Sequence, residues 1–301
     1  MKVIIAGGTG LVGTELTKDL IDRGYEVWIL TRGLNQKKVH PRAHLVQWDG
    51  MTSKNWGNLV EDMDAIVNLA GESIEGWRWT PKKKKAVVES RIQTGSAIIE
   101  AVRNSIHKPE VVLQVSGADY YPSDLNKEFA ISSTPGSGFM GEAAVLWEQS
   151  TKQVEEMDVR RVVMRSAQVM AHRGGSLAKI VLPFKFFVGG PLGSGEQWWT
   201  WIHIEDCAAA MVFLIENRDI NGTLNLCSPQ PIRMKDFGRI LAKVLNKPYW
   251  FSVPAFALKL VLGEMSALVL NGRKLYPDIL QNAGFEFKYP DLHHALKSLL
   301  K

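Results

Sequence analysis

The first fifteen residues constrain this chain more than any other stretch. "KVIIAGG" is an unbroken apolar run into glycine, the pattern of a strand buried on both faces of a sheet. It leads straight into "TGLVGTEL", so glycines stand at 7, 8, 10 and 13. The strand is predicted to end at Ala6 and a helix to begin near Leu11, which puts the glycines in a strand-to-helix turn. A side chain there would keep a pyrophosphate off the backbone, and the helix N-terminus supplies amide donors. Gly13 lets the helix pack close to the sheet. The turn therefore predicts a dinucleotide site built from Gly7, Thr9, Gly10, Leu11, Val12 and Gly13. The competing reading is a tight structural turn.

The alternation continues along the chain. "TELTKDLIDRG" has helical spacing and stops at Gly24, a C-cap. "YEVWILTR", "HLVQWD", "MDAIVNLAG", "PEVVLQVSG", "VRRVVMRSAQV" and "GTLNLCS" read as strands. Residues 80–105 and "EDCAAAMVFLIEN" read as helices. Strands alternating with helices imply a parallel sheet with right-handed crossovers. From about residue 171 the texture changes to glycine and aromatics, "AHRGGSLAKIVLPFKFFVGGPLGSGEQWWTWIH", and the last 56 residues or so are punctuated by proline. The expected fold class is α/β, a doubly wound Rossmann parallel sheet with a smaller mixed substrate lobe. The Rossmann part takes residues 1–170 and 203–245, and the lobe 171–202 and 246–301.

The end of the second strand bears on which dinucleotide. An NAD site offers a carboxylate there for the ribose hydroxyls. This chain offers Thr31 and Arg32, with Lys37 and Lys38 following. A guanidinium pairs with a 2′-phosphate, so NADP(H) is the expected cofactor. Arg32 as an ordinary strand-end surface residue is the other reading.

Totals exclude several classes. With 46% hydrophobic and 22% charged residues the chain has the profile of a globular protein. Its net charge of +5 is no nucleic-acid signature without a patterned basic face, and the run Lys82–Lys85 reads as a solvated helix face. Two cysteines make no disulfide framework, and no His/Cys spacing suggests a metal. The most apolar late stretch, "VPAFALKLVLGEMSALVL", holds Lys259 and Glu264 and is too short for a span. A cytoplasmic setting, with no membrane or nucleic-acid partner, is expected. The oligomeric state is left open.

Taken in order, "NLAGESI", "RWTPKKKKAVVESRI", "SGADYYP", "GFMGEAAVLWE", "GGPLGSGEQWWTWIHIED" and "VPAFALKLVLGEM" resemble an atypical branch of the extended short-chain dehydrogenase/reductases. This branch is the epimerase family proteins, with a small C-terminal domain of unknown function. The likeness covers essentially the whole chain. It implies that Asp49 approaches the adenine, that Leu69, Ala70 and Gly71 lie beside pyrophosphate and ribose, and that Ser116 hydrogen-bonds a reacting carbonyl. Asp49 capping a turn and Ser116 simply ending a strand are the alternatives.

The same likeness exposes a gap. The superfamily uses a tyrosine as acid/base and, one helical turn on, a lysine that lowers its pKa. Here those positions are Phe139 and Ala143, and no tyrosine of the chain has a lysine four residues later. Tyr120 or Tyr121, just after Ser116, or Glu142 could supply the proton. Equally, the tyrosines could pack a loop and Glu142 serve the helix dipole. Relatives usually have glycines where this chain has Asp119 and Pro122. In the lobe, Gln197, Trp201 and His203 are expected substrate contacts, or else pins between lobe and core. Arg165 and Lys179 could meet an anionic substrate. Two functions follow: an NADP(H)-dependent oxidoreductase acting on a small molecule, such as a nucleotide sugar or other anionic carbonyl compound, or an NADPH-binding regulatory protein without turnover.

Overall fold

The computed structural model describes residues 1–34, 39–74 and 78–300. In chain order the elements are β1 (Lys2–Ala6), α1 (Leu11–Asp22), β2 (Glu26–Thr31), β3 (His44–Gln47), β4 (Ala65–Asn68), α2 (Pro81–Asn104), β5 (Val111–Gly117) and α3 (Phe139–Gln149). Then come β6 (Arg160–Ser166), β7 (Gln168–Met170), α4 (Gly175–Lys185), β8 (Trp198–Trp199), β9 (Trp201–His203), α5 (Ile204–Glu216), β10 (Gly222–Leu226), β11 (Ile232–Arg233) and α6 (Met234–Leu245). The chain closes with α7 (Ala255–Leu262), α8 (Ala267–Leu270), α9 (Asp278–Asn282) and α10 (Leu292–Leu300).

Seven of the strands form one parallel sheet in the order β10-β6-β5-β4-β1-β2-β3. All seven strands read from the sequence are in it. The sheet alternates its burial with period two. Val3 and Ile5 face a core shared with Leu16 and Leu20 of α1 and Met211 of α5. Ile4 and Ala6 face the opposite core, with Ile98 and Val102 of α2. One strand thus needs apolar residues at every position, which is why "VIIA" does not alternate. The chain reverses between β1 and β4, and the carboxyl ends of the strands flanking that reversal open a crevice.

Two local departures matter. "VRRVVMRSAQV" is two strands, not one. The chain turns at Ala167, whose amide donates to Leu226 O at 3.0 Å, and β7 leaves the sheet to pair with β9. The glycine-rich stretch after 171 contains α4, a helix its composition hid. α4, α6 and α10 close a third core around Trp199, Trp201 and Phe237. Cys207 and Cys227 are both buried and unpaired.

Candidate functional site

The glycine turn is closed by backbone contacts that admit no side chain. Gly7 has φ +83°, and a Cβ on it would stand 2.9 Å from Ala70 N. A Cβ on Gly13 would come within 2.5 Å of Gly7 O. Gly10 caps α1 and makes no side-chain hydrogen bond there, so the first turn keeps its amides for another partner. Beside it lies a cavity of about 590 Å³. Gly7, Thr9 and Gly10 line it from the turn, and Thr31 and Arg32 from the end of β2. Asp49 borders it after β3, and Leu69, Ala70 and Gly71 after β4. Leu11, Val12 and Gly13 are not in this lining. Gly13 lies inside the turn, and Val12 packs against the core. Lys37 and Lys38 fall outside the described residues.

Asp49 caps its turn as well as bordering the cavity. Its carboxylate accepts from the amides of Met51 (2.7 Å) and Thr52 (2.9 Å) and from the Thr52 hydroxyl. Burial pushes the carboxyl up slightly, but these donors outweigh it and hold the group below its ordinary range. Thr31 is also spent locally, donating to Gly33 O at 3.0 Å.

Sequence reasoning missed Glu72, Ser90, Gln93 and Thr94, which line the same cavity. The last three stand at i, i+3 and i+4 of α2, one polar helix face that the sequence already contained. Among the described residues, Glu72 is the one carboxylate besides Asp49 in that lining. Lys83 Nζ binds it at 2.6 Å and, with the nearby charges of Arg32 and Arg91, pulls its pKa down.

Ser116 and Tyr121 sit at and just after the carboxyl end of β5 and are tied with Arg165 of β6 into one largely buried network. Ser116 Oγ donates to Glu148 Oε1 at 2.8 Å. Arg165, paired across the strands with Ser116, grips both oxygens of Glu148 at 2.8 and 3.0 Å. Arg165 also donates to the Tyr121 hydroxyl at 3.0 Å, which itself donates to Asn225 Oδ1 at 2.8 Å. The Arg165 guanidinium lies 3.3 Å from the Tyr120 ring centre. Burial raises the Tyr121 pKa, with Arg165 opposing. Ser116 and Tyr121 are therefore brought together through Glu148 and Arg165, with their hydroxyls engaged. Arg165 is a partner within this network, not an open anchor for an anion. Glu142 is exposed on the first turn of α3, where its charge suits the helix dipole.

A second cavity, of about 750 Å³, lies between the loop after β5, the start of α3 and the segment 259–273. Phe139 lines it, its ring 5.2 Å edge-on to Trp79 and within cation–π reach of Lys84. Ala143 is buried in the helix behind. Asp119 and Arg273, both in the lining, pair at 2.7 Å, and Arg273 Nε donates to Tyr121 O at 2.7 Å. Asp119 thus anchors the loop to the C-terminal segment.

Gln197, Trp201 and His203 line neither large cavity. Gln197 donates to Leu192 O (3.0 Å) and Val269 O (2.9 Å), and Trp201 to Gln230 O (3.1 Å). His203 caps α5, its Nδ1 accepting from Glu205 N at 3.1 Å, and its Nε2 lies 3.1 Å from Ser298 Oγ. Burial holds its pKa down at about 4. All three are buried pins between elements, the alternative reading of this stretch. Lys179 is exposed on α4. Three of the four lysines of Lys82–Lys85 pair with Glu72, Glu264 and Glu89, so the run serves α2 and its contact with the C-terminal segment. Among the described residues no group of three or more His, Cys, Asp or Glu could hold a metal ion. No described helix is long and apolar enough to cross a membrane.

Comparison with known proteins agrees with this geometry. Residues 3–227 match the NAD dependent epimerase/dehydratase family, and residues 253–299 a domain of unknown function. An epimerase family protein of Staphylococcus saprophyticus is 38% identical over 298 residues, 99% of this chain and 98% of that one. One from Staphylococcus aureus is 36% identical over 305 residues, covering 100% and 99%. Human epimerase family protein SDR39U1, solved with NADPH, superposes with a TM-score of 0.90 at 30% identity, covering 99% of each chain. A nucleoside-diphosphate sugar epimerase of Corynebacterium glutamicum superposes at 0.79 with 26% identity, over all of this chain and 58% of that one. A Rossmann-like sheet, a glycine-turn crevice and full-length likeness on both segments lead to one conclusion: the chain belongs to the NAD-dependent epimerase/dehydratase family, among the epimerase family proteins that resemble SDR39U1.

Proposed function

We propose that the chain is an NADP(H)-dependent oxidoreductase. It would move hydride between nicotinamide and a carbonyl or secondary alcohol of a small molecule, a nucleotide sugar or another anionic carbonyl compound. The observation that carries the cofactor is Arg32 at the crevice, at a strand end without a carboxylate. The NADPH solved with SDR39U1 supports it. The residues present fit the group: the cradle excludes any Cβ and the α1 cap leaves its amides unclaimed by side chains. Gly7, Thr9, Gly10 and the first amides of α1, at Leu11, Val12 and Gly13, would hold the pyrophosphate. Thr31 and Arg32 would hold the 2′-phosphate. Leu69, Ala70 and Gly71 would border the ribose, and Asp49 would fix the turn beside the adenine. Glu72, held by Lys83, keeps the local charge from being purely cationic.

The bound cofactor supplies the hydride chemistry, and the chain's own groups do the rest. Ser116, Glu148, Arg165 and Tyr121 form a rigid floor that orients the loop after β5. Tyr121 lines the larger cavity but its hydroxyl is committed to Asn225 and Arg165; proton delivery is assigned to its neighbour Tyr120, which lines neither cavity in this state and whose ring rests on the Arg165 guanidinium. Residues 171–202 and 246–301 act as the substrate lobe, with 259–273 roofing the larger cavity. The buried free thiols suit a cytoplasmic setting. In a screen of carbonyl compounds followed by NADPH absorbance, Tyr120→Phe is expected to lower kcat by about 100-fold or more with NADPH affinity unchanged. An unchanged kcat assigns the proton elsewhere.

A second reading has a specific observation behind it. Phe139 and Ala143 occupy the dyad positions and are packed there, so the chain could hold NADPH as a signal without consuming it. Tight NADPH binding with no turnover across the panel would favour that reading.

A further inference from the structure

The apolar stretch after residue 250, too short and too charged to span a bilayer, has a use the crevice does not absorb. α7, "AFALKLVL", has no buried residue at all. Phe256 and Leu260, four residues apart on one face, are 74% and 73% exposed. The chain just before α7 is fastened to the end of α4. Trp250 and Phe251 donate their amides to Gly189 O, and the Trp250 ring nitrogen donates to Phe187 O at 2.9 Å. At that end of α4, Phe186 is 70% exposed and Phe187 56%. Every exposed Phe and Trp among the described residues falls in these two stretches. Scattered surface apolars need no explanation, but a concentration of aromatics does.

The backbone at Phe187 strengthens the point. Phe187 N donates to Phe184 O and Val188 N to Pro183 O, both at 3.0 Å, which closes α4 in a Schellman turn. The left-handed position of that turn normally goes to glycine. Here Phe187 holds it at φ +63°. A non-glycine residue in that position carries a backbone cost, and here it sets an aromatic ring 56% exposed at the surface.

Charge then selects the occupant. Residues 182–188 and 247–261 contain Lys185, Lys247 and Lys259 and no Asp or Glu. Glu196, Asp236 and Glu264, the nearest carboxylates in sequence to the flanks of these stretches, pair with Lys235, Arg239 and Lys84. Lys247 lies 3.7 Å over the Phe187 ring. We propose that this face, residues 182–188 with 247–261, docks the protein on an anionic lipid surface. Exposed aromatic and aliphatic side chains with Lys185, Lys247 and Lys259 in the same stretches fit the headgroup boundary of such a bilayer. A second copy seated by twofold symmetry would set cations against cations. Single-stranded nucleic acid would use the aromatics but not Leu182, Val188 or Leu260.

The test is flotation of the full chain with vesicles of phosphatidylglycerol and phosphatidylcholine, and with phosphatidylcholine alone. Wild type should float with the anionic vesicles only, and less so as salt rises. Phe186→Ser with Phe256→Ser should weaken partitioning about tenfold or more, with an unchanged circular-dichroism melt. Lys185→Gln should weaken it by about fivefold. The proposal is overturned if wild type does not float, or if the folded double variant floats equally well. It is also overturned if the double variant turns a dimer into a monomer without lipid, or if wild type retains an oligonucleotide in place of vesicles.

Discussion

The two cavities are assembled differently. The crevice at the glycine turn is walled mainly by short, glycine-bearing segments after β1, β2, β3 and β4, with one polar face of α2. The larger cavity is walled by residue 79, by 119–141 and by 259–273, stretches far apart in the chain, with Gly136, Gly138, Gly141 and Gly263 in its lining. A turn is set by where side chains are forbidden, so it is written as glycine spacing. A cavity between distant stretches is set by tertiary closure and leaves no local spacing to read. Phe139 stands in the second cavity's wall and Ala143 in the helix behind it.

Breaking the network of Ser116, Glu148, Arg165 and Tyr121 should have the largest effect. Arg165→Met strands the Glu148 carboxylate among buried groups and should cost about 3–5 kcal/mol, read as a shifted urea midpoint. Adding Glu148→Met should recover part of that loss. Full recovery would reduce the network to packing, and no loss in the single variant would remove it from the account.

Gly13→Ala attacks the crevice instead. Its Cβ has no room against Gly7 O, so the turn must open, at about 1–3 kcal/mol and with loss of NADPH binding. A comparable alanine in the larger cavity's wall, Ser137→Ala, should leave NADPH affinity intact. If both variants bind alike, the contrast between the two cavities fails.

The pins of the lobe give a smaller, pH-dependent effect. His203 is neutral in the fold, with a pKa held at about 4 by burial against an ordinary 6.5. The unfolded chain binds the extra proton between these values, so stability rises with pH there. This contribution is full above about pH 6.5 and is lost as pH falls toward 4, a loss of about 2 kcal/mol between pH 7 and pH 5. His203→Asn keeps an N-cap acceptor for α5 and should flatten that part of the urea-midpoint profile. An unchanged slope would place the titration elsewhere.

These outcomes bear on what was legible beforehand. The seven strands and the glycine turn followed from periodicity and glycine, because local rules decide them, while Thr31 and Arg32 followed from their place at the end of the second strand and 69–71 only from the family resemblance. β7 escaped because nothing in "SAQV" marks where a strand leaves its sheet, and α4 because Gly174, Gly175 and Pro183 mask its apolar spacing. Ser90, Gln93 and Thr94 were readable as a polar helix face, yet which face met the crevice depended on tertiary packing. The tryptophans and His203 resemble ligand-binding residues by type, and only burial assigns them to the core. Ser116 and Tyr121 were expected as separate actors. Glu148, unremarkable in sequence, is what joins Ser116 to Arg165 and so to Tyr121.

The central claim is that the crevice binds NADPH through Arg32. Calorimetric titration of the wild type and of Arg32→Ala with NADPH and NADH tests it most directly. The account predicts tight NADPH binding, weaker NADH binding, and a loss of about tenfold to 100-fold for NADPH alone in the variant, the scale of one charge-assisted pair. Equal affinity of the wild type for both nucleotides, or NADPH binding untouched by Arg32→Ala, would contradict it.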